Sequence, residues 1–509
     1  MGLASAFRPA LAGIDADAET CAALSMDIAG PGAAIAGVLL RPRDPAEVAA
    51  IIGIARRQAI ALHPRGGGWS YTGGYVPQRR PAAIVDTGAL QGIRIDRDAA
   101  TVTAGAGVTW AALDAALQPE GLRAASFGPL SGQGATIGGS AAQNGGFFGA
   151  AGHGALGDGA VAGCAMVDGT GTTRCLGPGD RVEGLAAPQP LVGDCGAFGI
   201  RTAVTLRLVA RPATTAFLSF NFAEGSAALG ALAALIGLRG LGEAYVFDPG
   251  THANLARSGF SVIESAGIAG DLLRGQGGLF ERLGGLLRTA RAGRAFVGDL
   301  DWSLHIAIDD GEAAAREAVA EAMRRVARFD AEPIPDVIPR VTRARPFRRI
   351  KALLGPEGER WLPLHGVLPP SAVPAALQAV QAVLAEAAEP MARHGVRAVI
   401  LAVLMGGRII LEPQLFWRDA LTPLHRRMAL PEQVAAHGGV PANPAARGLA
   451  MALRTRLVGA LDAAGAAHFQ IGRSYAAAPG VSDAARAAWR QLKQRHDPDG
   501  ILNPGVLGL

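Results

Sequence analysis

Cysteine is scarce in this 509-residue chain: Cys21, Cys164, Cys175 and Cys195 are the only four, with no CxxC spacing and no histidine pair nearby. A disulfide framework and the usual zinc patterns are thereby excluded, and no metal is expected. The four read as small buried residues of a reducing compartment, which points to the cytoplasm. Long apolar runs are missing as well. The longest uncharged stretch plausible as a span, residues 366–385, approaches the roughly 20 residues that cross a bilayer, but Pro369, Pro370, Pro374, Gln378 and Gln381 interrupt it, so no transmembrane segment is expected. Arg8 has no apolar run behind it, and Asp15, Asp17 and Glu19 follow soon after, so neither a secretory signal nor an anchor is expected. Charge of one sign is lacking too: 48 basic and 43 acidic residues give +5. The one compact basic run, Arg340, Arg343, Arg345, Arg348, Arg349 and Lys351, reads as a solvated face against that near balance, and no nucleic-acid partner is expected. No GxxxxGK[ST], HExxH or GxSxG occurs, which removes the usual signatures of phosphoryl transfer, zinc hydrolysis and serine hydrolysis.

Half of the chain is hydrophobic, much of it alanine and glycine, and the length suits two or three domains. Asp44 as N-cap and Pro45 in the first turn predict a helix over 45–58, between strands at 38–41 and 59–62. Short strands at 82–86, 92–96 and 100–104, a helix over 109–117 starting at Thr109, a hairpin of 161–168 with 173–175, and a strand at 202–209 make an α+β domain. From about residue 213 strands alternate with longer amphipathic helices: 216–222 before 225–238, 302–308 before 312–327, and 373–394 before strands 398–405 and 408–413. Such repeated strand-helix-strand units suggest a ferredoxin-like cap. Residues 267–298, rich in Gly, Leu and Arg, read as an insertion, and helices at 445–464 and 482–495 return the chain to its first domain.

The most informative stretch is His63-Pro64-Arg65-Gly66-Gly67-Gly68-Trp69-Ser70, where three glycines after a strand leave backbone N–H groups unshielded, either as a plain tight turn or as a cradle for a pyrophosphate. Gly128 to Gly139 and Gln143 to Gly149 form further glycine-rich turns, Gly193 to Ile200 another, and the chain closes on Asn503-Pro504-Gly505. In this order the motifs resemble the FAD-binding oxidoreductases of the vanillyl-alcohol oxidase and p-cresol methylhydroxylase superfamily. The resemblance covers residues 38–212 and 468–505. It implies an FAD-binding domain at 30–212, a cap or substrate domain at 213–467, and a C-terminal segment at 468–509 returning to the FAD domain. It also implies that Arg65, Gly66, Gly67, Gly68, Trp69 and Ser70 hold the pyrophosphate. Pro129, Leu130, Ser131, Thr136, Gly138, Gly139, Gln143, Asn144 and Gly149 would hold the flavin and its ribityl chain, Gly199 and Ile200 would lie by the adenine half, and Asn503 completes the set. Gly152-His153-Gly154-Ala155-Leu156-Gly157 has the letters of a dinucleotide fingerprint but is followed by a strand-like run, so Gly154 reads as a close-approach glycine beside the flavin or a plain turn. Where many relatives carry a flavin-linked histidine this chain has Trp69, and no cysteine lies in residues 129–139, so FAD is expected to be noncovalent.

For catalysis, His468, Arg473 and Tyr475 lie in a segment resembling the C-terminal junction of D-2-hydroxyacid dehydrogenases and phenol oxidases. The three can serve as proton acceptor, anion partner and substrate orienter, or simply as a buried strand. His365 and Glu412 end β-like runs of the cap and are further candidates; Glu412 has Arg408 nearby as an alternative partner. The resemblance implies oxidation of an alcohol or hydroxy acid by hydride transfer to flavin N5. The substrate would be a small molecule, either a D-2-hydroxy acid or a para-substituted phenol or benzylic alcohol, and the acceptor oxygen, a quinone or a cytochrome. A homo-oligomer fits the same reading. The alternative is a FAD-binding or partner-binding module that does not turn over.

Overall fold

The structure, a computed structural model, describes residues 3–177, 180–182, 185–186, 191–257, 300–344, 346–347, 353–475 and 483–509. The chain begins as the sequence pattern requires. Helix Pro45–Gln58 starts where Asp44 accepts the Glu47 N–H, and it buries Val48, Ile51, Ile52 and Ala55. It ends at Ala59, whose left-handed backbone (φ 51°) turns the chain, so the next strand is Ala61–Arg65 and not 59–62. That strand and Val38–Leu40 flank Ala82–Asp86 in parallel, and Leu62 also bridges to Leu502 near the C-terminus. The glycine loop therefore leaves the C-terminal end of a parallel strand, where α/β sheets commonly hold ligands.

A second sheet, antiparallel throughout, runs Ile93–Asp96, Thr101–Gly105, Gly199–Ala210, Val161–Asp168, Thr173–Leu176, with Leu122–Ala124 pairing the long central strand. Helix Trp110–Leu117 starts at Thr109, as its side-chain cap on the Ala112 N–H dictates.

The cap is an eight-stranded antiparallel sheet. Four of its strands lie in the order Glu332–Pro333, Thr214–Phe222, Trp302–Asp310, Leu241–Phe247, the 4-1-3-2 order of a ferredoxin-like unit. Arg397–Met405, Arg408–Trp417 and Arg360–Pro363 extend that sheet beyond Leu241–Phe247, and Gly366–Leu368 pairs with Arg408–Trp417. The residues expected to form one helix over 373–394 form two, Val373–Glu386 and Ala388–His394, bent by 58°. Pro390 lacks the N–H that would bond back into the first helix and its ring crowds the preceding turn. Apart from that bent pair, no single helix among the described residues is long and apolar enough to cross a membrane. The whole segment 267–298 and part of the basic run lie outside the described residues. The described arginines of that run, Arg340 and Arg343, turn inward onto Asp336 and onto Glu243 and Asp309, rather than forming a solvated face.

Period-2 alternation gives the cap sheet two apolar faces. Ala244, Val246, Ile400, Ala402, Leu404, Ile409, Leu411, Leu415 and Trp417 pack beneath helices Gly225–Ala234, Glu312–Val326, Val373–Glu386 and Pro444–Ala463. The intervening residues, Tyr245, Phe247, Val399, Leu401, Val403, Ile410, Glu412, Gln414 and Phe416, face the other way and roof a cavity against the first domain.

Candidate active site

The glycine loop is shaped by close approach. A Cβ on Gly67 would lie 1.8 Å from the carbonyl oxygen of Gly134, and Gly68 takes φ +77°, which side chains resist. Two glycine-rich segments, 66–68 and 132–139, are thus pressed together, with Thr136 capping the Gly139 N–H. The N–H groups of Gly67, Gly68, Trp69 and Ser70 make no hydrogen bond among the described residues. Beside them, Arg65 is 7% exposed, has no carboxylate partner among the described residues, and leaves its Nε unpaired. Unshielded N–H groups and a buried unpaired cation suit an anion, which fits the diphosphate of FAD.

The loop is fastened to the end of the chain. The Asn503 amide donates to the carbonyls of Gly74 and Cys195, both at 2.6 Å, while its Oδ1 accepts from His63 Nδ1 and from Arg473. Asp27 accepts the Gly73 N–H at 2.6 Å; burial raises its carboxyl to about 6. Asn503 itself does not line the cavity but ties together two loops that do, at Gly74 and Cys195.

The cavity has a volume of about 1220 Å³, above the roughly 300–1,000 Å³ usual for one small ligand. Arg65, Gly66, Gly67, Gly68, Trp69, Ser70, Pro129, Leu130, Ser131, Thr136, Gly138, Gly139, Gln143 and Gly199 all line it, as do Cys195 and Arg201. Besides Asn503, four residues expected there do not line it. Asn144 caps a helix end and accepts the Gly157 N–H; the Gly149 N–H donates to Glu243. Gly154 closes a short helix, its Cβ position filled by Asp158, and Ile200 is fully buried in the core beneath the first sheet.

Of the five catalytic candidates, Glu412 alone lines the cavity. Arg473 donates to the carbonyls of Gly73 and Pro504 and to Asn503, so its guanidinium holds the glycine loop and is not free for a substrate anion. His468 donates from Nδ1 to the His365 carbonyl and sets Nε2 against Asp462, each at 2.7 Å. Tyr475 accepts the His365 N–H and donates to His365 Nδ1, while His365 Nε2 meets the Phe469 carbonyl. Burial lowers His365 to about 3, so it is neutral, and raises the Tyr475 hydroxyl. This network lies behind the wall, where it fixes the neighbouring Phe469 and Gln470, which do line the cavity.

Glu412 lies deep in the protein yet stays partly open to the cavity. Gln414 Nε2 donates to its Oε1 at 2.7 Å, and Gln414 is itself oriented by the Trp361 indole N–H at 3.0 Å. Burial pushes the Glu412 carboxyl up to about 7, and the Gln414 donor opposes the shift. Arg408 is exposed at the far end of the strand and is no partner of Glu412. Tyr71 packs edge-on against Trp361, and burial together with nearby Glu412 holds its hydroxyl well above the usual range. Tyr71, Trp361, Gln414 and Gln470 were not singled out from sequence, although alternation along Arg408–Trp417 already puts Gln414 on the face of Glu412. Among the described residues no group of three or more His, Cys, Asp or Glu side chains is placed to hold a metal.

The sequence pattern of the FAD binding domain matches residues 36–177. A D-lactate dehydrogenase of Archaeoglobus fulgidus is 31% identical over 187 residues, 36% of this chain and 40% of that relative, so the match spans about two fifths of the relative's length. Among solved structures, p-cresol methylhydroxylase with substrate bound superposes with a TM-score of 0.71 at 14% identity, covering 99% of this chain and 96% of that one. The 4-ethylphenol oxidase from Gulosibacter chungangensis, as its isoeugenol complex, gives 0.69 at 15%, again covering 99% and 96%. At these identities the likeness is one of fold.

Proposed function

Starting from a chain that carries an FAD binding domain and shares the fold of p-cresol methylhydroxylase, we propose that it is a flavoenzyme oxidising a CH–OH group, with Glu412 as proton acceptor. One observation carries the reading: a carboxyl that burial pushes up to about 7 stands beside Gln414 in a largely apolar roof, facing the cavity that the glycine loop enters. A base poised near the working pH combines a usable ionised fraction with a real affinity for the proton. Bound in the cavity, the flavin supplies the hydride acceptor.

The residues divide the work. Arg65 and the N–H groups of Gly67, Gly68, Trp69 and Ser70 would hold the diphosphate, and Cys195, Gly196, Gly199 and Arg201 would border the adenine side. Gln414, fixed by Trp361, aims one Glu412 oxygen and leaves the other for the substrate hydroxyl. Tyr71 and Gln470 orient the substrate from the flank, while His365, His468, Tyr475, Arg473 and Asn503 are positioning residues. FAD is held without a covalent bond, since Trp69 stands where relatives carry a linking histidine. The divisions at 212 and 467 belong to the same reading: Gly199–Ala210 is in the FAD-side sheet and Thr214–Phe222 opens the cap sheet.

The D-lactate dehydrogenase relative supports D-2-hydroxy acids as one substrate class, and the likeness to 4-ethylphenol oxidase and p-cresol methylhydroxylase supports para-substituted phenols or benzylic alcohols as another. The test is anaerobic addition of both panels to the flavin-loaded protein. Bleaching of the flavin by a member of either panel, slowed roughly 10²-fold or more in Glu412→Gln, supports the reading. Flavin that stays oxidised across both panels favours the non-catalytic module instead.

A further inference from the structure

The roof bears on the substrate's charge and shape. Three neighbouring strands, Leu241–Phe247, Arg397–Met405 and Arg408–Trp417, turn Phe247, Leu401, Val403, Ile410 and Phe416 into the cavity at alternate positions. Glu412 sits within this wall, with Ile410 two residues before it on the same strand and Leu401 opposite it across the pair. Among the described residues the cap contributes to the lining two carboxylates, Glu412 and Glu432, and the imidazole of His437, but no arginine or lysine. The described lining arginines, Arg65 and Arg201, belong to the cofactor segments, and Arg201 is already paired with Asp194. Oε1 of Glu412 takes the Gln414 donor, which leaves Oε2 as the oxygen open to a substrate donor.

Given the oxidation reading above, we infer that the substrate is an uncharged alcohol with a broad apolar body, its hydroxyl on Glu412, and that 2-hydroxy acids are disfavoured. A substrate carboxylate in this wall would stand beside a like charge in a medium that screens it poorly, which weakens binding by roughly 100-fold or more when Glu412 is ionised. An ammonium has three N–H donors, of which Oε2 can accept at most two, and the remainder would lie unpaired among Ile410, Leu401 and Val403. A hydroxyl has one donor, which Oε2 satisfies with none left over, and its carbon skeleton takes the apolar surface. In the reaction the O–H proton would pass to Glu412 and the C–H bond would give up a hydride, for which FAD held by the glycine loop would be the acceptor, leaving a ketone or aldehyde.

Two matched pairs test this on the flavin-loaded enzyme at pH 8: 2-phenyl-2-propanol against atrolactate, tertiary alcohols that keep the hydroxyl but have no carbinol C–H to oxidise, read by perturbation of the flavin spectrum, and 1-phenylethanol against mandelate, read by anaerobic flavin reduction. Each pair exchanges methyl for carboxylate. 2-Phenyl-2-propanol is expected to bind roughly 100-fold more tightly than atrolactate, and Glu412→Gln is expected to narrow that gap by restoring affinity for the carboxylate. Equal or tighter binding of atrolactate in the wild type, tighter binding of 2-phenyl-2-propylamine than of 2-phenyl-2-propanol, or no spectral response to 2-phenyl-2-propanol overturns the inference. 2-Phenyl-2-propanol bound as expected with 1-phenylethanol never bleaching the flavin overturns the oxidation reading instead, and leaves the ligand class standing.

Discussion

Replacing Glu412 by Gln should stabilise the protein at high pH. The unfolded carboxyl titrates at 4.5 and the folded one near 7, so between these values the folded state binds the proton more strongly. The raised value therefore favours folding fully below pH 4.5, and that advantage is lost as pH climbs through about 7. At about 1.4 kcal/mol per pH unit, ionised Glu412 costs the fold about 3 kcal/mol above pH 8 relative to its protonated form. Water in the cavity screens the free oxygen, which brings the expected cost to about 1–3 kcal/mol. Glutamine keeps an oxygen for Gln414 Nε2 and carries no charge. Urea denaturation of the flavin-loaded proteins at pH 5 and pH 8.5 should thus show Glu412→Gln close to wild type at the lower pH and more resistant by that amount at the higher. A variant that is equally or less resistant at pH 8.5 refutes a desolvated carboxylate at this position.

Three further outcomes follow from the cradle and its fastening. Gly67→Asp places a Cβ 1.8 Å from the Gly134 carbonyl oxygen and a carboxylate beside the diphosphate, so purified variant should lack FAD; normal flavin content would move the cradle elsewhere. Acid precipitation of the wild type should release FAD into the supernatant, and flavin kept in the washed pellet would show a covalent bond. Arg473→Ala removes a charged donor from the Gly73 carbonyl, Asn503 and the Pro504 carbonyl. At about 1.5–3 kcal/mol for each hydrogen bond to a charged group, it should weaken FAD retention and stability while leaving the apparent Kd for substrate unchanged in molecules that keep FAD; a selective loss of substrate binding would restore Arg473 as an anion clamp.

What the sequence disclosed was local. Asp44 and Pro45 specify a helix start within four residues, and three consecutive glycines announce a backbone that must approach something closely. The bend at Pro390 was equally local and was passed over because the apolar period continues across it. Arg473 and His468 were misplaced for a different reason. Arg473 reaches the carbonyl of Gly73, 400 positions away, and a backbone carbonyl has no signature in the residue type that bears it. His468 and Tyr475 likewise spend their polar atoms on His365 and Asp462, contacts created only when the C-terminal segment folds back on the cap. For Glu412, alternation gives its companions Ile410 and Gln414, but which face of that strand meets helices and which meets the cavity is decided by packing of helices such as Val373–Glu386 and Pro444–Ala463, remote in sequence.

The most direct measurement is the rate of anaerobic flavin reduction by a saturating alcohol substrate, followed from pH 5 to 9 in wild type and in Glu412→Gln. With Glu412 as proton acceptor, the wild-type rate rises as pH passes about 7 and levels off above it, because the ionised carboxylate is the active form. The variant rate then lies roughly 10²-fold or more below the wild-type plateau and loses that inflection. A Glu412→Gln enzyme that reduces its flavin at the wild-type rate with the same pH dependence would contradict the assignment of proton transfer to Glu412.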